Sequence, residues 1–156
     1  SSFSAGMMMA QGLKKKVSFY EDFLSFLDEL KSLISYTSQP LSDVFGGNTF
    51  NGIFDEFSNA VYLSMQCENT FEDAWQKSLN VLSACIPLES DDISLISEFG
   101  RGLGKTDISG QVALCELISA KADSRLQVCR KDKESKSRMY KTLGILGGAT
   151  AALLII

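Results

Sequence analysis

Apolar residues recur every three or four positions along most of the chain, which is the period of an amphipathic α-helix. The first stripe of this kind runs through Leu13, Val17, Tyr20, Leu24, Leu27 and Ile34. A second stripe lies beside it and consists of Phe19, Phe23, Phe26, Leu30 and Leu33. Two adjacent stripes predict a helix that packs against more than one neighbour, and Pro40 ends it.

Four further helices are predicted before the last one. Pro40 starts a short helix towards Phe45, and residues 50–65 form the next with an apolar face. Thr70, with Asp73 three residues later, resembles a capping box for a helix that stops at Pro87. Ser90 caps the following helix. The residues expected inward in these helices are Phe50, Ile53, Phe54, Phe57, Val61, Met65, Ala74, Trp75, Leu79, Leu82, Ile86, Ile93, Ile96 and Phe99.

The last helix begins near Asp107 and is long. Its inward positions are Ile108, Val112, Cys115, Ala122, Leu126 and Cys129, with Leu114, Leu117 and Ile118 alongside. Charged helix-forming residues continue after the apolar stripe ends, so the helix is expected to cover residues 107–140. At about 50 Å in length, it is expected to leave the bundle at its end. With no strand pattern along the chain, the predicted fold is all-α: an antiparallel bundle of about six helices whose last helix continues into a membrane segment.

Residues 91–111 hold three alternate glycines, Gly100, Gly102 and Gly104, followed by Lys105 and Thr106. A phosphate-binding loop requires Gly-x-x-x-x-Gly-Lys-Ser/Thr after a buried strand. Here the position of the first glycine is Phe99, and the preceding residues have helical spacing. The stretch therefore predicts a turn between two helices rather than a nucleotide site.

Each residue of that turn has an expected role. Gly104 is expected in the left-handed conformation that ends a helix, and Asp107 or Thr106 caps the next helix. Gly100 allows a close approach of the two helices, and Gln111 faces their junction. Leu103 lies beside the apolar face of the first of these helices. We call residues 100–111 the helical corner.

The composition argues against several kinds of catalytic and metal-binding site. The chain of 156 residues has no histidine, and so it lacks the usual general base and the commonest metal ligand. Its four cysteines are predicted to be buried free thiols in a reducing cytosolic setting. The adjacent pairs Asp91-Asp92 and Asp55-Glu56 point apart on a helix and are predicted to be solvated. No catalytic, cofactor-binding or metal-binding residue is assigned, and enzyme activity is not expected.

Charge is divided sharply along the chain. Residues 17–129 hold 17 acidic and six basic residues, a net charge of −11, which argues against nucleic acid as the partner. The flanks hold nine basic and two acidic residues, a net charge of +7. These basic residues are Lys14, Lys15, Lys16, Arg130, Lys131, Lys133, Lys136, Arg138 and Lys141.

Uncharged stretches lie outside both basic flanks. Positive charge on the inner side of an apolar segment is typical of the cytoplasmic side of a membrane protein. We therefore expect three regions: residues 1–13 as the remainder of a membrane segment, residues 14–138 as a cytoplasmic bundle, and residues 139–156 as a transmembrane helix. Gly144, Gly147 and Gly148 would allow close helix packing in lipid. The alternative is an apolar C-terminal helix that packs on the bundle itself.

The chain resembles the stage III sporulation protein AB family over nearly its whole length. The resemblance rests on Pro40-Leu41, Ala74-Trp75, Phe99-Gly100, Leu103-Gly104, Thr106-Asp107 and Gln111, and on Met139-Tyr140-Lys141 followed by Leu143-Gly144 and Leu146-Gly147. It implies a membrane component of the mother-cell-to-forespore channel, in the mother-cell outer forespore membrane. Its bundle is similar to the domains of type II secretion platform proteins. That similarity implies docking of a cytoplasmic secretion-type ATPase, alongside other stage III channel subunits and membrane lipid.

Two classes of function follow. The first is a non-enzymatic assembly platform, in the sporulation channel or in a type II secretion or type IV pilus system. The second is a regulatory enzyme that uses the degenerate glycine-rich loop. The segregated charge and the uncharged ends favour the platform.

Overall fold

The computed structural model describes the backbone of residues 2–155 and the side chains of residues 12–135 and of Arg138. Its backbone forms six helices over the described residues and no strand, which confirms the all-helical prediction. They are α1 (Ser2–Thr37), α2 (Leu41–Gly47), α3 (Ile53–Met65), α4 (Phe71–Cys85), α5 (Ser90–Leu103) and α6 (Ile108–Ile155).

The two longest helices, α1 and α6, pack side by side and run antiparallel. Lys31 of α1 pairs with Glu116 of α6 at 3.0 Å, whereas Glu21, ten residues earlier, pairs with Arg130 at 3.7 Å. Residues later in α6 therefore pair with residues earlier in α1, as in two antiparallel helices. As a result, the start of α1 and the far part of α6 lie at the same end of the bundle, which we call the exit end. The opposite end is the distal end.

Phenylalanine rings fill the core between α1 and α3. The rings of Phe23 and Phe54 stack with their centroids 5.4 Å apart, and those of Phe26 and Phe54 with theirs 4.8 Å apart. Trp75 of α4 closes this core towards α5, where its indole Nε1 donates a hydrogen bond to the carbonyl of Ile96 at 2.9 Å. Buried aromatic rings in these geometries add to the area-based stabilisation of the core.

Most of the predicted helix boundaries agree with the structure. Pro40 is the N-cap of α2, and the hydroxyl of Thr70 accepts a hydrogen bond from the amide of Asp73 at 3.1 Å. Two starts differ. Helix α3 begins at Ile53 because the preceding Gly52 has a φ of +61°, which interrupts the helix. Glu89, not Ser90, is the N-cap of α5.

Several predicted burials were wrong. Ile108 and Leu117 of α6 were expected inward, but they are 43% and 50% exposed. Cys67 and Cys85 are exposed, because Cys67 lies in the turn after α3 and Cys85 lies on the open side of the last turn of α4. Only Cys115 and Cys129 are buried, and all four thiols are free.

The predicted membrane segments, residues 1–13 and 139–156, lie almost entirely outside the described side chains. The same holds for Lys136, Lys141, Gly144, Gly147 and Gly148. Within the part of the chain that the structure describes, none of the helices is both long enough and apolar enough to cross a membrane.

Candidate functional site

Four charged or polar side chains meet inside the bundle near its exit end. Lys16 and Tyr20 come from α1, Asp92 from α5 and Arg125 from α6. We call them the buried charge cluster. The members lie in line with the apolar faces of their helices. Lys16 and Tyr20 lie seven and three residues before Phe23, and Asp92 lies four residues before Ile96. The cluster therefore joins the three helices through positions that hydrophobic residues fill elsewhere.

Asp92 is the centre of the cluster and is fully buried. Its Oδ1 accepts hydrogen bonds from the Tyr20 hydroxyl and from Arg125, whose Nη2 and Nε lie 2.6 and 2.9 Å away. Its Oδ2 lies 3.0 Å from Lys16 Nζ and accepts the backbone N–H of Glu89 at 2.9 Å. The Nε of Arg125 also lies 2.8 Å from the Tyr20 hydroxyl oxygen.

The ionisation of the cluster follows from these contacts. Burial by itself raises the pKa of Asp92, but the hydrogen bonds from Tyr20, Glu89, Lys16 and Arg125 together hold it below its ordinary value. Burial raises the pKa of Tyr20 well above its ordinary value, and the hydrogen bond to Asp92 adds to this effect. Burial lowers the pKa of Lys16, yet Asp92 and Glu89 outweigh it and the net shift is upward.

The cluster is a closed set of interactions. Both oxygens of Asp92 are fully used, and no buried side-chain nitrogen or oxygen among the described residues lacks a hydrogen-bond partner. A carboxylate held ionised between two cations has no proton to exchange near neutral pH. The arrangement instead fixes the positions of α1, α5 and α6 relative to one another, since one carboxylate contacts all three.

The prediction for Asp92 was wrong, and Lys16 differs from the other basic residues near it. Asp92 was predicted to be solvated, but it is the third residue of α5 and its side chain turns back to the Glu89 amide and into the core. Lys16 was assigned to the basic flank, and its side chain is only 10% exposed, unlike those of Lys14 and Lys15. Its spacing of four residues from Tyr20 and seven from Phe23 was the available signal.

The other basic residues of the flanks whose side chains the structure describes lie at the surface. Lys14, Lys15, Lys131 and Lys133 are exposed. Arg130 pairs with Glu21, and Arg138 lies 3.9 Å from Glu134 in the same helix. The antiparallel packing of α1 and α6 brings these residues to the exit end from both ends of the sequence.

The helical corner lies at the distal end, between α5 and α6. Gln111 faces the junction as predicted, and its Nε2 donates to the carbonyl of Leu103 at 3.0 Å. Asp107, rather than Thr106, caps α6, because its Oδ1 accepts the amide of Gly110 at 2.8 Å. Gly104 does not adopt the left-handed conformation: its φ is −77°. The prediction for Gly104 was wrong because the last turn of α5 tightens instead.

Gly100 and Gly102 of the helical corner allow close packing between helices, but Gly100 packs against a different helix from the one predicted. A Cβ atom on Gly100 would lie 2.2 Å from the Trp75 ring of α4, so Gly100 serves the contact between α4 and α5. Gly102 faces Leu114 of α6, where a Cβ would lie 2.7 Å from the leucine side chain. The close approach predicted for Gly100 therefore exists, but Gly102 provides the one to α6.

Two amides and the lysine of the Gly-Leu-Gly-Lys-Thr stretch are engaged within the protein. The amides of Gly104 and Lys105 donate to the carbonyls of Gly100 and Gly102. The ammonium of Lys105 lies 3.3 Å from Glu72, which also pairs with Arg101 at 3.1 Å. These two exposed pairs lower the pKa of Glu72. The geometry is that of a helix end followed by a capped helix start.

Comparison with known proteins gives one result for the whole chain. The model of the family described as stage III sporulation protein AB matches residues 1–156. Neither the search of curated proteins nor the search of solved structures found a match.

Proposed function

The chain belongs to the stage III sporulation protein AB family, and on that premise we propose that it is a non-enzymatic membrane platform of the mother-cell-to-forespore channel. In this proposal the bundle is cytoplasmic and the two ends enter the mother-cell outer forespore membrane. The bundle docks a cytoplasmic secretion-type ATPase and other stage III channel subunits.

The antiparallel packing of α1 and α6 is the observation that carries this proposal. A platform with two membrane segments needs both of them to leave the bundle on one side. Gly12 of α1 lines the same groove as Cys129 and Asp132 of α6, so both helices pass the exit end together. The buried charge cluster lies immediately inside this point and holds the two helices in register.

The charged groups of Asp92 and Lys105 already contact other residues of the protein, and this supports a non-enzymatic role. A catalytic acid, base or nucleophile needs a free coordination or proton-transfer position that a substrate can reach. Asp92 uses both oxygens within the cluster, and Lys105 is held by Glu72. Burial raises the pKa of Cys115 to about 12 and also raises that of Cys129, which keeps both thiols protonated and unreactive.

The distal end is the proposed docking surface for the ATPase, because the exit end faces the membrane. Asp43 of α2 and Asp73 of α4 are both exposed. Asp43 lines a groove with Thr37, the last residue of α1. Asp73 follows Phe71, whose side chain lies beside Gly104 of the helical corner. The bundle is strongly acidic overall, and complementary charge steers association between proteins. We therefore propose that the ATPase presents a basic surface to this end.

A pull-down of the cognate ATPase by full-length protein in detergent tests docking. The variant Asp43→Lys/Asp73→Lys reverses charge at the distal end, and Asp91→Lys/Asp123→Lys makes the same charge change nearer the exit end. We expect the distal variant alone to lose the ATPase. Equal retention by both variants would exclude the distal end as the docking surface.

Fractionation of sporulating cells tests the membrane part of the proposal separately. The full-length protein is expected to stay with the membranes after carbonate extraction. Release into the soluble fraction would contradict the anchored platform, whatever the pull-down shows.

A further inference from the structure

Two basic segments that are more than one hundred residues apart in the sequence meet at the exit end. Lys14 and Lys15 belong to the part of α1 just before the buried charge cluster, and residues 130–138 belong to the part of α6 just after it. Val17 of α1 lines one groove together with Arg130 and Lys133 of α6, so the segments run side by side. We call Lys14, Lys15, Arg130, Lys131, Lys133 and Arg138 the basic collar.

Four members of the collar keep their charge available to a partner. Lys14, Lys15, Lys131 and Lys133 are exposed, and no ion pair involving them is found among the described side chains. Lysines elsewhere on the bundle are different: Lys31, Lys77, Lys105 and Lys121 each lie within 3.3 Å of a glutamate oxygen. Among the side chains that the structure describes, lysines without an acidic partner are therefore concentrated at one end.

We propose that the basic collar is a binding surface for anionic phospholipid headgroups. This inference rests on the proposed function, which places the exit end against a membrane. A lipid surface fits because the collar surrounds the point where α1 and α6 leave the bundle, so a bilayer around these helices would contact lysines from both. The collar binds phosphate groups through exposed ammonium and guanidinium ions, and salt weakens this attraction.

A nucleic acid fits this surface less well. The collar is a narrow band, and residues 17–129 beyond it have a net charge of −11, which repels a long polyanion. A flat bilayer at the exit end would contact the collar and remain distant from most of the acidic surface. The geometry therefore selects a planar anionic partner over an extended one.

Vesicle flotation of the full chain tests the proposal. The probes are phosphatidylcholine vesicles with and without phosphatidylglycerol, at low and at high salt. The collar variant replaces Lys14, Lys15, Lys131 and Lys133 by glutamine. The matched control replaces Lys31, Lys77, Lys105 and Lys121 by glutamine, which changes the net charge equally. Circular dichroism of both variants checks that they are folded.

The wild-type protein is expected to prefer the anionic vesicles, and high salt is expected to remove the preference. The collar variant should lose this preference by at least about tenfold, since each surface lysine contributes appreciably to binding, whereas the control should keep it. Equal, salt-insensitive binding to both vesicles would overturn the collar proposal and leave the anchored platform intact. Equal losses in the two variants would also overturn it. Failure to float with either vesicle would contradict the proposed function itself.

Discussion

The Nη2 atom of Arg125 on α6 lies 2.6 Å from Oδ1 of Asp92 on α5, inside a cluster that also receives Lys16 and Tyr20 from α1. Among the described side chains, Asp92 is therefore the one carboxylate that connects α5 to both α1 and α6 at the exit end. Removing its charge leaves Arg125 without a counter-charge and Lys16 with Glu89 alone, at 3.6 Å. This makes the contact more sensitive to substitution than a surface ion pair.

The variant Asp92→Asn preserves the shape of the side chain and removes its charge. Arg125 would remain partly buried without a counter-charge, and Lys16 would keep only Glu89, at 3.6 Å. We therefore expect the free energy of unfolding to fall by about 3 kcal/mol. Urea denaturation of the full chain in detergent measures this change. The matched control is Asp91→Asn, which alters the exposed neighbour and is expected to shift stability by less than about 0.5 kcal/mol. Equal effects of the two variants would contradict the role given to Asp92.

The lowered pKa of Asp92 predicts how the stability of the fold depends on pH. The pKa of Asp92 is lower in the folded than in the unfolded state, so its ionised form stabilises the fold above about pH 4, the ordinary value for aspartate. This contribution disappears as the pH falls through the folded-state pKa. The difference in unfolding free energy between wild type and Asp92→Asn should therefore hold from pH 7 down to about pH 4 and shrink only as the pH falls further. A difference that stays constant would show that charge is not the cause.

Gly100→Ala tests the packing between α4 and α5. A Cβ at this position would lie 2.2 Å from the Trp75 ring, whose indole is fixed by its hydrogen bond to Ile96. We expect a loss of about 1–3 kcal/mol and a changed near-ultraviolet circular dichroism spectrum of the tryptophan. Gly47→Ala is the control, because nothing lies within 4 Å of its added Cβ. An unchanged spectrum and stability for Gly100→Ala would contradict the close contact.

Asp107→Ala tests which residue caps α6. The variant loses the hydrogen bond to the Gly110 amide and is expected to cost about 1 kcal/mol. Thr106→Ala removes the other candidate and should leave the unfolding free energy almost unchanged. Thermal unfolding of both variants decides between them, and a larger effect for Thr106→Ala would reverse the assignment.

Thiol labelling tests the two classes of cysteine. Cys67 and Cys85 are exposed and should react quickly with a thiol reagent in the native protein. Cys115 and Cys129 are buried with raised pKa values, so they should react only after denaturation. The variant Cys67→Ser/Cys85→Ser is therefore expected to show no fast labelling. Fast reaction of that variant would contradict the packing of α6.

Local patterns in the sequence were enough to predict six helices and most of the core. The three-or-four spacing identified Tyr20, Phe23 and Leu27 as inward, and capping residues such as Thr70 marked helix starts. The spacing failed for Ile108 and Leu117, since α6 is a long helix covered by neighbours on only one side. A wide apolar stripe does not reveal which of its edges a neighbouring helix covers.

The composition and order of residues also determined the family, the segregation of charge and the helical corner with Gln111 at its junction. Only the tertiary structure decided the buried charge cluster, because Asp92 and Arg125 are 33 residues apart and each alone has the sequence context of a surface residue. It likewise decided that Lys16 turns inward while Lys14 and Lys15 stay outside. Spacing fixes the face of a helix on which a residue lies. The partners of a charged residue depend on how separate helices pack, and local sequence does not encode that packing.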